Sequence, residues 1–162
     1  METMTAQTDS AQTGSAVDAF GRLLVEAEIG KNLGLAADDL AVGLDIAKSL
    51  LERGQPVRAM RIYCALVLCF PTVADYQIGL ANCALQLEEH YMALQAASAV
   101  IALEPRNPRG YFLSGRACLA AGELAEARED LADALRLAKE SGDTLVATEA
   151  ERLLKTAEAK PS

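Results

Sequence analysis

The sequence predicts an all-α fold: a stack of three helix pairs, with one helix before it and one after. Three observations predict it. Turn residues Gly54, Glu88 and Gly122 stand 34 residues apart, as do Ala59, Ala93 and Ala127, and Pro71 and Pro105 keep the same register. Hydrophobic residues make up 51% of the 162, led by Ala and Leu, both strong helix formers. Aromatic residues are only 4%, Trp is absent, and the β-branched alternation of a strand is scarce.

A period of 34 residues is that of the tetratricopeptide repeat, a helix-turn-helix unit that stacks on the next copy. Several positions sharing one spacing are much harder to obtain by chance than one short motif. Stacked helix pairs make a curved groove and carry no chemistry of their own, so the period implies a binding scaffold before an enzyme.

Each element follows in order. Residues 1–15 are rich in Thr, Gln, Ser and Ala without apolar periodicity and read as a disordered tail. Residues 16–39 form an N-terminal helical region. From Ala16 to about Leu35 the positions Val17, Phe20, Leu24 and Ala27 follow helical spacing, and Gly30 and Gly34 are expected to end the helix. That apolar face either joins two copies as a homodimer or packs on the first repeat of its own chain.

The repeats occupy 40–73, 74–107 and 108–141. The first pair is expected at about Asp39–Arg53 and Pro56–Phe70, turning at Gly54 and stopped by Pro71. The second is expected at 75–87 and 91–103, turning at Glu88–Glu89 and closed by Pro105 and Pro108. The third is expected at 109–121 and 124–140, turning at Gly122–Glu123, with Gly142 as a C-terminal cap. Asp143 can cap a last helix over 144–158, whose face of Val146, Ala150, Leu153 and Leu154 covers the end of the stack. Residues 40–158 thus make one repeat domain, with 159–162 a short tail.

The alanines 59, 93 and 127 sit near the start of each second helix, where a small side chain lets two backbones approach. Large residues fill complementary positions: Tyr63 and Leu131 in second helices, Leu50 in a first helix. Repeat two offers only Ala84 and Ala97 there, so the middle of the stack reads as under-packed.

The inner face of each first helix is the candidate site. Its second, fifth, ninth and twelfth positions read Ala41, Leu44, Lys48 and Leu51 in repeat one. They read Asp75, Ile78, Asn82 and Leu85 in repeat two, and Arg109, Phe112, Arg116 and Leu119 in repeat three. The result is an apolar stripe flanked by Lys48, Asn82 and Arg116, suited to an extended peptide whose backbone the polar groups can bond. Leu44 and Leu51 have a competing role in packing on the terminal helices.

Other functions are disfavoured. The formal charge of −8 opposes nucleic acid, which needs a cationic surface. No run reaches the ~18 apolar residues of a membrane span, and the N-terminus lacks the basic start and apolar core of a secretory signal. A cytoplasmic protein follows. Cys64, Cys69, Cys83 and Cys118 form no CxxC pair and read as small buried apolar residues, leaving no metal set. There is no P-loop, GxGxxG, GxSxG or HExxH, and no cofactor motif. The single histidine, His90, falls at a turn and reads as solvated. Glu126, Glu129 and Asp130 fit exposed faces without a partner for acid-base work.

Two stretches narrow the reading. Gly79-Leu80-Ala81-Asn82-Cys83, followed by Tyr91-Met92-Ala93, resembles the GLGAC…YDLA stretch of the LcrH/SycD translocator chaperones of bacterial type III secretion. Ala117-Cys118-Leu119 with Gly122-Glu123-Leu124-Ala125-Glu126-Ala127 is similar to their AECLL…GELAEA stretch. The resemblance spans roughly 16–158. It implies a bacterial cytosolic chaperone that holds hydrophobic secreted translocator proteins soluble before export, through an extended segment in the groove. It also implies dimerisation through the N-terminal region and, for some members, action with a transcription factor. Leu44, Leu51 and Ile78 stand where tyrosines are common in the family. A needle-subunit chaperone and a general repeat adaptor unrelated to secretion remain as alternatives.

Overall fold

The computed structural model describes residues 29–159. Among them are eight α-helices and no strand: α1 (Ile29–Asn32), α2 (Ala41–Glu52), α3 (Pro56–Cys69), α4 (Ala74–Gln86), α5 (His90–Leu103), α6 (Pro108–Ala121), α7 (Leu124–Ser141) and α8 (Thr144–Ala159). A 3-10 turn, Ala37–Leu40, leads into α2. The expected dimer residues Val17, Phe20, Leu24 and Ala27 lie outside the described residues.

From α2 to α8, helix bounds fall within about two residues of the sequence expectation, because the turn residues set them. The N-terminal helix, expected to run to about Leu35, ends at Asn32, and its expected start lies outside the described residues. Gly54 (φ +69°), Glu88 (φ +61°) and Gly122 (φ +88°) all adopt the left-handed conformation. At each, the next amide reaches back five residues: Gln55 N–H to Leu50, Glu89 N–H to Ala84 and Glu123 N–H to Cys118, all at 2.9 Å. These bonds satisfy carbonyls that a helix end leaves orphaned. Gly34 (φ +74°) closes α1 in the same way, with Leu35 N–H bonded to Gly30 at 2.9 Å. Asp143 Oδ1 accepts from Val146 N–H at 3.1 Å, the expected cap of α8.

Two boundaries differ. The first helix of repeat one starts at Ala41 rather than Asp39, because Asp39 Oδ2 accepts from Ala36 N–H at 2.7 Å and holds the 3-10 turn. Pro108 opens α6 rather than closing repeat two, and Asn107 caps that helix by accepting from Arg109 N–H at 3.0 Å.

Consecutive helices pack in order from α2 to α8. In addition α2 touches α4, α4 touches α6 and α6 touches α8, so these four form the inner layer. The three periodic alanines, Ala59, Ala93 and Ala127, are fully buried, as the close approach of paired helices requires.

Glycine makes other close contacts that the period did not predict. Gly30 lies inside α1 rather than ending it, and a Cβ there would collide with the Phe70 ring. Gly79 takes the Tyr63 ring in the same way, and a Cβ on Gly115 would stand 2.7 Å from Leu131 Cγ. The middle of the stack is not under-packed. Ala84 and Ala97 are fully buried, and Leu113 from the next repeat (2% exposed) joins Ala81, Ala96 and Ala97 in one cluster. The space that small residues leave in repeat two is filled from its neighbours.

Candidate binding groove

The inner layer carries three adjoining depressions. The first, about 410 Å³, is lined by Lys48, Leu51, Ile78 and Asn82 together with Asp75, Arg109 and Tyr63. The last, about 580 Å³, is lined by Leu85, Phe112, Arg116 and Leu119 together with Leu145, Val146, Glu149, Arg152 and Leu153. A central one of about 310 Å³ shares Ile78 and Asn82 with the first and Phe112, Leu145 and Val146 with the last. Eight of the nine sequence-selected residues therefore lie along one groove. Leu44 lies outside it, half-buried against the core of repeat one with Tyr63, Phe70 and Tyr76.

The spacing along each inner helix explains the arrangement. Ile78, Asn82 and Leu85 stand three and four residues apart, as do Phe112, Arg116 and Leu119, so each trio shares one helix face. Ile78 and Leu85 also pack on the buried alanines beneath, which fixes their side chains. Asn82 Nδ2 donates to the Ile78 carbonyl at 2.9 Å, leaving its oxygen to accept from Arg116 Nη1 at 3.4 Å. The Arg116 guanidinium sits 5.6 Å from the Phe112 ring centre, within cation–π range. Burial presses the Arg116 pKa down, against a weaker upward pull from Glu149.

Two contributors escaped sequence reading. Tyr63, on an outer helix, lines the first depression beside Gly79, where the missing side chain leaves room for its ring. Burial pushes its hydroxyl pKa up to about 12, so the phenol stays neutral. The clash partner of Gly79 lies 16 positions earlier, and no helical period signals that contact. The second contributor is α8. Its inner face of Val146 and Ala150 is buried as expected, and Leu153 and Leu154 pack on Leu131 and Ala134. Yet Leu145 remains 73% exposed and lines two depressions, and Glu149 and Arg152 rim the last one. The terminal helix is a wall of the groove as well as a cover.

Other residue expectations are corrected. His90 is the first residue of α5 and half-buried, and its Nδ1 is shielded from solvent without a hydrogen-bond partner. Asp130 is half-buried and accepts from the buried Ser114 hydroxyl at 2.6 Å, so it is not a solvated surface acid. Cys83 and Cys118 are buried, but Cys64 and Cys69 are only half-buried. Burial first, and Cys64 second, raise the Cys83 thiol pKa to about 11, which keeps it protonated and unreactive. No helix among the described residues is long and apolar enough to cross a membrane.

The fold is the all-α superhelical fold of tetratricopeptide repeats, and the sequence profile of the tetratricopeptide repeat matches residues 92–142. The chain's resemblance to the type III secretion translocator chaperones extends through the structure. PcrH, solved in complex with the chaperone binding region of PopD, superposes with a TM-score of 0.73 at 26% identity. The match covers 78% of this chain and 96% of that one. The translocator chaperone SycD of Yersinia enterocolitica shares the fold, with a TM-score of 0.73 at 22% identity over 79% of this chain and 96% of that one. In sequence, cellulose synthase operon protein C of Pseudomonas fluorescens (strain SBW25) is 34% identical over 100 residues, 62% of this chain. The chain spans 8% of that relative's length.

Proposed function

We propose that this chain is a cytoplasmic bacterial chaperone, not an enzyme, that holds a hydrophobic type III secretion translocator soluble before export. An extended segment of the translocator lies in the groove from Leu51 to Leu119. Ile78, Leu85 and Phe112 take its apolar side chains, and Lys48, Asn82 and Arg116 take its polar atoms. The observation that carries this reading is the groove of adjoining depressions, with apolar anchors along it, on the inner layer of a fold shared with PcrH, whose solved partner is the chaperone binding region of PopD. Half-burial of the anchors supports it too, since such residues gain further burial when a ligand covers them. Val17, Phe20, Leu24 and Ala27 supply a homodimer contact outside the repeats, and residues 1–15 a tail.

The test is co-expression of the full chain with a hydrophobic secreted protein encoded beside it. Central anchors carry most of the energy of such interfaces, so one truncation costs ≥ ~2 kcal/mol. Phe112→Ala and Ile78→Asp are expected to lose the partner on co-purification while circular dichroism keeps its helical signal. Retention by both folded variants moves the site away from the groove.

A further inference from the structure

We propose that the occupant of the groove carries a carboxylate beside its apolar anchor, and that Arg116 receives it. The inference rests on the groove reading above and adds the chemistry of the ligand.

Arg116 is half-buried in a depression whose walls are Leu85, Phe112 and Leu119. Its only polar contact among the described residues is with a neutral group, the Asn82 amide oxygen at 3.4 Å, at the far limit of a hydrogen bond. The other contact is the Phe112 ring face. No carboxylate among the described residues comes within the 4.0 Å of an ion pair with it. A charge taken partly out of water without a counter-charge is costly, and five N–H donors here meet one weak acceptor.

The acid nearest at hand is already engaged. Glu149 Oε2 accepts from Arg152 Nε at 3.1 Å and from Arg152 Nη2 at 2.9 Å, along its own helix. Two guanidiniums therefore face the last depression against one carboxylate. That local positive excess stands in a chain whose formal net charge is −8. The first depression differs: Lys48 and Arg109 face Glu52 and Asp75, and Arg109 pairs with Asp143 at 3.7 Å. The central depression has one cation in its lining, Arg109, and that one is the partner of Asp143. The last depression is apolar and holds a guanidinium with no carboxylate partner. An Asp or Glu next to a Leu or Phe fits both features, the apolar side chain against Phe112 and the carboxylate on the guanidinium. Arg is suited to that role because its planar fork can bind a carboxylate through two parallel bonds.

The experiment uses the full chain and a library of short, terminally blocked peptides rich in Leu, Ile, Phe, Pro and Ser, read by fluorescence anisotropy. Peptides that bind are remade with Asp, Asn or Lys at each position in turn. At one position adjoining an apolar residue, Asp is expected to bind at least about fivefold tighter than Asn, and Lys weaker than Asn, because charge-assisted bonds are roughly twice as strong as neutral ones. Arg116→Gln should erase the preference for Asp over Asn, read as the ratio of the two affinities within the variant, with unchanged circular dichroism. Asp and Asn forms that bind equally overturn the carboxylate and leave the groove reading standing. A preference that survives Arg116→Gln and disappears in Arg152→Gln overturns the assignment to Arg116. Binding by no peptide overturns both readings together. The Lys comparison needs only the wild-type chain, so it decides the carboxylate even if Arg116→Gln does not fold, and Arg152→Gln then decides the assignment: a preference kept there supports Arg116 and one lost there overturns it.

Discussion

The junction between repeats one and two and the junction between repeats two and three solve the same packing problem with opposite parts. Tyr63 and Ala97 are equivalent by the 34-residue register, and so are Gly79 and Leu113. At the first junction the outer helix supplies bulk and the inner helix supplies none: the Tyr63 ring occupies the place of a Gly79 side chain. At the second, the outer helix supplies Ala97 and the inner helix supplies Leu113, buried together in one cluster. What the fold holds constant across the two junctions is their combined volume, because interiors are close-packed and neither a void nor an overlap is tolerated. The choice also has a functional side. Bulk from the outer helix leaves an opening over Gly79, so the first depression has an aromatic floor, whereas Leu113 fills the equivalent place and lines the central one.

The sharpest way to break the comparison is to remove one partner. Tyr63→Ala is expected to cost about 3–5 kcal/mol, since Gly79 can offer nothing to fill the cavity. Gly79→Leu on its own should also destabilise, because its Cβ meets the Tyr63 ring, which is buried and has little freedom to move. The double variant, Tyr63→Ala with Gly79→Leu, rebuilds the second junction at the first. It should recover at least about 1 kcal/mol relative to the sum of the two single changes, the coupling expected of residues in contact. Urea denaturation of the four proteins measures it, and strict additivity would show that the two positions do not share one volume.

The same comparison explains what sequence could and could not show. The 34-residue period, the prolines and the left-handed turn residues are local signals, and they located the helices from α2 to α8 to within about two residues. The groove positions on inner helices were legible for the same reason, since a face repeats with the helix. Contacts between repeats were not. Nothing local marks Gly79 as the partner of Tyr63, or Leu113 as the filler for Ala97. Reading Ala84 and Ala97 within their own repeat alone made the middle look hollow. The groove wall at Leu145, Glu149 and Arg152 was missed because α8 lies outside the period and only its buried face was scored. Gly30 was taken as a stop signal because its conflict is with Phe70, 40 residues later.

A medium effect separates repeat three from repeat two by charge. Ser114 and Asp130 form a hydrogen bond across α6 and α7, where the equivalent positions in repeat two are the apolar Leu80 and Ala96. Burial raises the Asp130 pKa, partly offset by the Ser114 bond. A folded pKa above the unfolded one means that folding takes up a proton. The associated stability is fully present below the unfolded carboxylate range and is lost as pH rises through the folded pKa. Asp130→Asn keeps an acceptor for Ser114 and removes the buried charge. Its melting temperature should match wild type at pH 3 and rise above it as pH increases to 7. A difference that does not change with pH would assign the variant's effect to packing instead of ionisation.

The smallest effect concerns the turns. Gly54 and Gly122 take up the left-handed conformation with no Cβ to oppose it, and nothing within 4 Å would crowd one. Glu88 holds the same place in repeat two at φ +61° and is the one non-glycine residue with positive φ among the described residues. For an L-residue that conformation costs roughly 1–2 kcal/mol. Glycine in its place also has more freedom to lose on folding, which returns a part of the gain. Glu88→Gly is therefore expected to stabilise the chain by about 0.5–1 kcal/mol, and Gly122→Ala to destabilise it by about 1 kcal/mol at a turn of the same geometry. The bond from Glu89 N–H to the Ala84 carbonyl is made by backbone alone, so neither substitution removes it or its equivalent at Cys118. Opposite shifts in the urea midpoint from these two variants are the expected result. Shifts of the same sign would mean that the Glu88 side chain contributes an interaction that outweighs its backbone strain, and that the turns of repeats two and three differ in more than the residue that occupies them.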